Sequence, residues 1–168
     1  MGNESVKMSK RSDKVYSLDE LIDDIGSDAV QFFFIMRGAN THLDFDIELA
    51  KERSDKNPVY YLQYAHARTC GILRNAEEHL NDIASSTDEN DLIKLLEKPD
   101  EVRLLKVLGR FPEEVVNSAD SFEPHKIINY LNELAESFHR FYHNNRIVDA
   151  ENLDLSHSRI LLCKATKQ

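Results

Sequence analysis

Apolar residues recur at helical spacing along most of the chain, and no stretch shows the alternation that is typical of a strand. The longest helical pattern follows Asn57-Pro58, because asparagine is a strong N-cap and proline suits the first helical turn. We predict that this helix extends to about Leu80. Its predicted core face contains Leu62, His66, Thr69, Leu73, Ala76 and Leu80. This pattern makes His66 a buried core histidine.

Other signals place shorter helices before and after this one. Ser17 with Glu20 forms a capping-box pattern for a helix that should stop at Gly26. Ser27 is predicted to cap the next helix and Ser156 the last one. A second long helix should open at Pro124, with a stripe of Ile127, Leu131, Leu134, Phe138 and Tyr142. The sequence therefore predicts an all-α protein, with a helical bundle over residues 55–168 and a separate unit over residues 1–54.

The formal net charge is −9, which argues against a nucleic-acid binder that relies on bulk electrostatic attraction. Any such role must then come from a local basic or aromatic surface. No run approaches the roughly 20 apolar residues that a membrane helix needs, so we expect no membrane association and a cytoplasmic location.

Lys7-Met8-Ser9-Lys10 resembles the signature loop of class I aminoacyl-tRNA synthetases. Several further segments resemble arginyl-tRNA synthetases in sequence, order and spacing; they cover residues 17–21, 26–37, 42–46 and 57–68. Later positions on the second long helix and residues 159–162 resemble the DALR-type anticodon-binding domain of that family. The resemblance covers the whole chain.

The resemblance implies an enzyme, usually a monomer, that attaches arginine to tRNA-Arg using ATP with Mg²⁺. Residues 1–54 would be the end of its catalytic domain and residues 55–168 its anticodon-binding bundle. Lys7 and Lys10 would be catalytic, because lysines on a mobile loop can neutralise the charge of the ATP phosphates in the transition state. The nucleotide-binding fold is missing from this sequence, so we expect no aminoacylation and no cofactor for this part alone.

Tyr61 and Ala65 match family positions that contact the anticodon loop. Arg68, Tyr142 and Arg146 are further candidates for this contact, and for Arg68 the alternative to a phosphate contact is an ordinary surface ion pair. Tyr61 and Ala65 are one helical turn apart, and we expect a ring beside a small residue to form a slot for an unstacked base. Tyr142 and Arg146 have the same spacing on the second long helix. For both tyrosines the alternative is core packing with a hydrogen-bonded hydroxyl.

Two other functions are compatible with parts of the pattern. His139 and His143 are four residues apart, as two metal ligands on one helix face can be, but the sequence offers no third ligand at a suitable spacing. We therefore predict no metal site. The second alternative is a helical protein–protein interaction module without an RNA role, whose apolar stripes would face a partner helix.

Overall fold

The computed structural model describes residues 17–43, 45–80 and 88–168, and all regular structure in these ranges is helical. The predicted all-α fold is thereby confirmed. The described helices are α1 (Leu18–Ile25), α2 (Ser27–Ile35), α3 (Ile47–Lys51), α4 (Pro58–Leu80), α5 (Glu89–Ile93), α6 (Pro99–Gly109), α7 (Phe111–Ser121), α8 (His125–Asn144) and α9 (Leu153–Lys167).

The start of α1 has the predicted capping box. The Ser17 hydroxyl accepts a hydrogen bond from the Glu20 amide at 3.2 Å, and the Glu20 carboxylate accepts one from the Ser17 amide at 2.8 Å. Gly26 ends α1 at a φ of 84°, a conformation that favours glycine. The prediction for Ser27 is wrong, because α2 begins at Ser27 itself. Gly26 serves as the C-cap of α1 and also as the N-cap of α2, so Ser27 is already the first helical residue of α2.

The side chain of Asn57 fixes the start of α4, where the sequence predicted a helix to begin. Its Oδ1 accepts hydrogen bonds from the amides of Val59 at 3.0 Å and Tyr60 at 3.4 Å. Its Nδ2 donates to the carbonyl oxygens of Ala50 and Glu52 at 3.0 and 2.9 Å. One buried amide therefore joins the end of α3 to the first turn of α4. The division into two domains at this point stays a prediction.

A small apolar cluster attaches the N-terminal helices to this same turn. Ala29 and Phe33 of α2, Ala50 of α3 and Val59 of α4 are all buried in it. Because Val59 directly precedes Tyr60, this cluster also fixes the first aromatic ring exposed on α4.

The main core lies between α4, α6, α8 and α9. It contains Ala65, Ala76, Leu96, Leu104, Ala135, Phe138, Phe141, Ile147, Ile160, Leu162 and Cys163. The predicted phase of α4 was partly wrong: the fully buried positions include Ala65, whereas His66 is exposed and Leu62 is half-buried. The exposed His66 ring lies beside the Cys70 thiol, with 3.5 Å between Nε2 and Sγ. The pattern of apolar residues does not determine which of two neighbouring faces of α4 packs against the other helices.

The prediction that Ser156 caps the last helix is also wrong. α9 begins at Leu153, where the side chain of Asn152 accepts a hydrogen bond from the Leu155 amide at 3.3 Å. Ser156 is buried inside the helix, and its hydroxyl accepts from the Asp149 amide at 2.8 Å. It therefore fixes the preceding loop instead of starting the helix.

Leu104 offers a direct test of this core, because its side chain is fully buried. We expect Leu104→Ala to lower the free energy of unfolding by about 2–5 kcal/mol, since the remaining cavity adds to the lost burial. Leu95→Ala is the matched control, because Leu95 is 42% exposed. Its effect should stay within about 0.5 kcal/mol. Urea unfolding measures both, and equal losses would contradict the assigned core.

Candidate functional site

Three side chains of α4 form a row on the surface of the bundle. Tyr60, Tyr64 and Arg68 follow one another at intervals of four residues, which places them along one helix face. The rings of Tyr60 and Tyr64 are parallel within 4°, with centroids 6.2 Å apart. Arg68 donates a hydrogen bond to the Tyr64 hydroxyl, and its Cζ lies 4.4 Å from the centroid of the Tyr64 ring.

α8 contributes a further ring to this row. The Cζ of Arg68 lies 4.6 Å from the centroid of the Tyr142 ring, so one guanidinium contacts rings from both long helices. Cation–π contacts of this kind are favourable by about 0.5–1 kcal/mol at exposed sites. Tyr142 is itself supported by the buried ring of Phe138, at 6.4 Å between centroids. The core thus holds the ring in place from behind.

His139 lies behind the row, between the two helices. Its ring centroid is 4.8 Å from that of Tyr61 and 5.7 Å from that of Tyr64. Burial lowers the pKa of His139 below its ordinary value, and the nearby Arg68 guanidinium lowers it further. A hydrogen bond with the Tyr61 backbone opposes this shift in part. The imidazole is therefore neutral at neutral pH, and Arg68 is the cation that contacts the rings.

We call Tyr60, Tyr64, Arg68, His139 and Tyr142 the aromatic patch. Its three tyrosines are 36%, 43% and 39% exposed, in chain order, so each presents ring surface to solvent. Aromatic ring faces beside a guanidinium suit a single-stranded nucleic acid, because unstacked bases can stack on the rings while the cation contacts a phosphate.

The structure brings only some of the predicted residues to this surface. Arg68 and Tyr142 are in the patch. Tyr61 is half-buried against His139, and burial raises the pKa of its phenol. Ala65 is 6% exposed and belongs to the main core, so it does not line an open slot beside Tyr61. The expected slot is absent from this position, and an RNA contact of these two residues stays a prediction.

Arg146 lies just beyond the end of α8. Its side chain is 76% exposed, and its Nη1 is 3.9 Å from a carboxylate oxygen of Asp149. The predicted ATP-binding residues Lys7, Met8, Ser9 and Lys10 lie outside the described residues.

Sequence reasoning missed Tyr60, Tyr64 and His139. A signal for the first two was present, because Tyr60, Tyr64 and Arg68 are spaced at one helical turn each. The spacing of His139 and His143 along the chain points only to a pair of metal ligands, not to a contact of His139 with the tyrosines. Within residues 17–43, 45–80 and 88–168, no three His, Cys, Asp or Glu side chains are grouped as a metal site would require.

In the part of the chain that the structure describes, none of the helices is long and apolar enough to cross a membrane. The described fold and the aromatic patch together define an all-helical domain whose surface suits unpaired bases.

Comparison with known proteins identifies the family. The model of the DALR anticodon binding domain matches residues 62–168, and the chain belongs to this family. The predicted resemblance to arginyl-tRNA synthetases is confirmed. An arginine–tRNA ligase of Salinibacter ruber is 48% identical over 99% of this chain, and one of Geobacter metallireducens is 47% identical over 99%.

The chain spans 29% of the length of these two relatives. A crystal structure described as an arginyl-tRNA synthetase from Campylobacter jejuni has the same fold, with a TM-score of 0.73 and 30% sequence identity. The match covers 88% of this chain and 32% of that one. The aromatic patch lies mostly within the residues that match the family domain, since only Tyr60 precedes residue 62.

The lowered pKa of His139 predicts a pH effect on stability. The unfolded histidine has a pKa of about 6.5 and takes up a proton before the folded one does, so stability is lost as the pH falls below that value. We expect the free energy of unfolding to fall more steeply between about pH 7.5 and about pH 5.5 in the wild type than in His139→Phe, which keeps an aromatic ring but does not titrate. Urea unfolding at each pH measures this, and identical slopes would contradict the prediction.

Proposed function

We propose that this chain is the anticodon-binding part of an arginine–tRNA ligase, whose full-length form attaches arginine to tRNA-Arg using ATP with Mg²⁺. The observation that carries the proposal is the set of exposed tyrosine rings around Arg68, on a domain of this family: Tyr60, Tyr64 and Tyr142. Arginine–tRNA ligases at 47% and 48% identity support the parent activity. We infer a cytoplasmic, monomeric enzyme, and no observation favours a protein-interaction module instead.

Stacking explains how an acidic chain can bind RNA. A base that stacks on an aromatic side chain gains about 1–3 kcal/mol, and this gain does not require a basic surface. The three exposed tyrosines offer such ring faces on a chain with a net charge of −9. The bases of an anticodon are suited to this because they lie in a loop and can be splayed out.

Arg68 would contribute charge at the same place. Its guanidinium lies against Tyr64 and Tyr142, and a guanidinium that stacks on aromatic rings can still donate hydrogen bonds to a phosphate. Arg146, exposed beyond the end of α8, is the second cation that we assign to the RNA backbone. Tyr61 and Ala65 would act from behind the patch, by fixing the helix that carries it.

Tyr64 is the ring to test first, because it contacts Tyr60, Arg68 and His139 and remains 43% exposed. We expect Tyr64→Ala to weaken binding of a tRNA-Arg anticodon stem-loop by about 1–3 kcal/mol, or roughly 5- to 150-fold. Fluorescence anisotropy with a labelled stem-loop measures the dissociation constant, and circular dichroism checks that the variant folds.

Two controls separate stacking from other causes. Tyr64→Phe keeps the ring and loses only the hydroxyl that Arg68 contacts, so we expect a loss of at most about 1 kcal/mol. Phe34→Ala removes an exposed aromatic ring of α2 that lies outside the aromatic patch, and it should leave binding unchanged. Wild-type affinity in Tyr64→Ala would contradict the role of the patch, as would an equal loss in Phe34→Ala.

The parent activity is tested in a full-length ligase that carries this chain. Lys7→Ala and Lys10→Ala should each lower the rate of arginine-dependent adenylate formation by about 10²–10³, because each removes a charge that stabilises the transition state. Their binding of the anticodon stem-loop should match the wild type. Unchanged kcat in both variants would count against the assignment of this loop to ATP.

A further inference from the structure

We propose that Arg159 is a positioning residue for Arg146: a buried ion pair between Glu101 and Arg159 holds the chain where it leaves α8 and so sets where the Arg146 side chain meets RNA. The inference rests on the proposed function. It assigns a role in RNA binding to a pair that lies inside the bundle and cannot touch the RNA itself.

The Glu101–Arg159 pair is fully desolvated and well bonded. The side chains are 1% and 5% exposed, and Nε of Arg159 lies 2.7 Å from Oε1 of Glu101. The second carboxylate oxygen of Glu101 accepts a hydrogen bond from the Lys98 amide at 2.9 Å, at the start of α6. Glu101 is therefore fixed by its own helix, and it fixes Arg159 of α9 in turn.

Arg159 uses a second donor on the loop after α8. Its Nη1 donates a hydrogen bond of 2.6 Å to the carbonyl oxygen of Arg146. This carbonyl follows the extended residue Asn145, which ends α8 at φ −132° and ψ 129°. A carbonyl beyond a helix end has no partner within the helix, and a charged donor makes a strong bond to it. The direction of the chain after α8 thus depends on Arg159.

The residues on both sides of Arg146 are also held. Asn145 is buried and donates from Nδ2 to the Phe141 carbonyl oxygen at 2.8 Å, while Ile147 is 6% exposed in the main core. Only the Arg146 side chain, 76% exposed, points into solvent between them. Because the backbone on both sides is fixed, the Arg146 guanidinium is held in a defined place, four residues beyond Tyr142 of the aromatic patch.

Stability alone gives little reason for such a pair. The cost of removing two charges from water largely offsets their attraction, and well-packed apolar residues of similar volume often stabilise a fold as well or better. What an apolar pair cannot supply is the hydrogen bond to the Arg146 carbonyl. The geometry of this loop is therefore the property that the pair uniquely provides.

The test replaces both partners together, because removing one would leave a buried unpaired charge. We expect the chain with Glu101→Leu and Arg159→Met to fold and to bind the anticodon stem-loop more weakly, by the same factor as Arg146→Ala. The slope of log affinity against log salt concentration should fall by about one in both variants. Adding Arg146→Ala to the pair replacement should cause no further loss, because both changes remove the same contact.

A second measurement needs no RNA. Amide hydrogen exchange should become faster at residues 146–149 in the pair replacement and remain unchanged in the described parts of α4 and α8. Ser158→Ala is the matched control: its buried hydroxyl, one residue before Arg159, donates to the Leu92 carbonyl oxygen at 2.7 Å and anchors α9 to α5 instead. It should change neither exchange at residues 146–149 nor the salt slope.

The inference is overturned if the pair replacement binds RNA like the wild type, if its loss adds fully to that of Arg146→Ala, or if exchange at residues 146–149 is unaltered. Should the pair replacement fail to fold, Arg159→Lys decides instead, since it keeps the charge beside Glu101 but cannot reach both partners; it should show the same losses. A wild-type chain that binds no stem-loop would refute the proposed function and with it the RNA role of Arg146, whereas the exchange result reports on the pair alone.

Discussion

The packing of α4 against α8 is the constraint on which the surface chemistry depends. Arg68 can contact Tyr64 of its own helix and Tyr142 of the other only because the two helices lie close together. Small buried side chains on both, Ala65 and Ala135, suit such an approach, since the distance between helix axes follows the size of the contacting residues. Ala65 thereby acts on the aromatic patch from within the core.

The same packing would explain how an acidic protein can carry out the proposed RNA binding. Rings that are held from behind by Phe138 and His139 lose little freedom when a base stacks on them, so more of the stacking energy remains as affinity. With Arg68 and Arg146 as the assigned backbone contacts, few counterions are released on binding. We therefore expect the affinity to depend only weakly on salt, unlike that of a basic nucleic-acid binder.

Structural features that are set by adjacent residues could be predicted from the sequence, whereas features that depend on packing between helices could not. The capping box of Ser17 and the start of α4 at Pro58 were predicted, because both follow from a few adjacent residues. Tyr60, Tyr61 and Tyr64 are distributed around one helix, and only the position of α8 determines that Tyr61 turns inward while the others stay exposed. The pairing of Glu101 with Arg159 across the fold carries no local signal at all.

The neutral state of His139 matters to the same surface. A protonated imidazole behind Tyr64 would repel the Arg68 guanidinium, which is one of the causes of the lowered pKa. Repulsion of that kind would push the guanidinium away from the rings of Tyr64 and Tyr142, so Arg68 would no longer bridge these two rings. Burial of His139 between Tyr61 and Tyr64 prevents this at neutral pH, because the buried ring gives up its proton more readily than an exposed one. Within the aromatic patch, Arg68 is thus the cation at neutral pH, and in the proposed function it is the group that turns toward a phosphate.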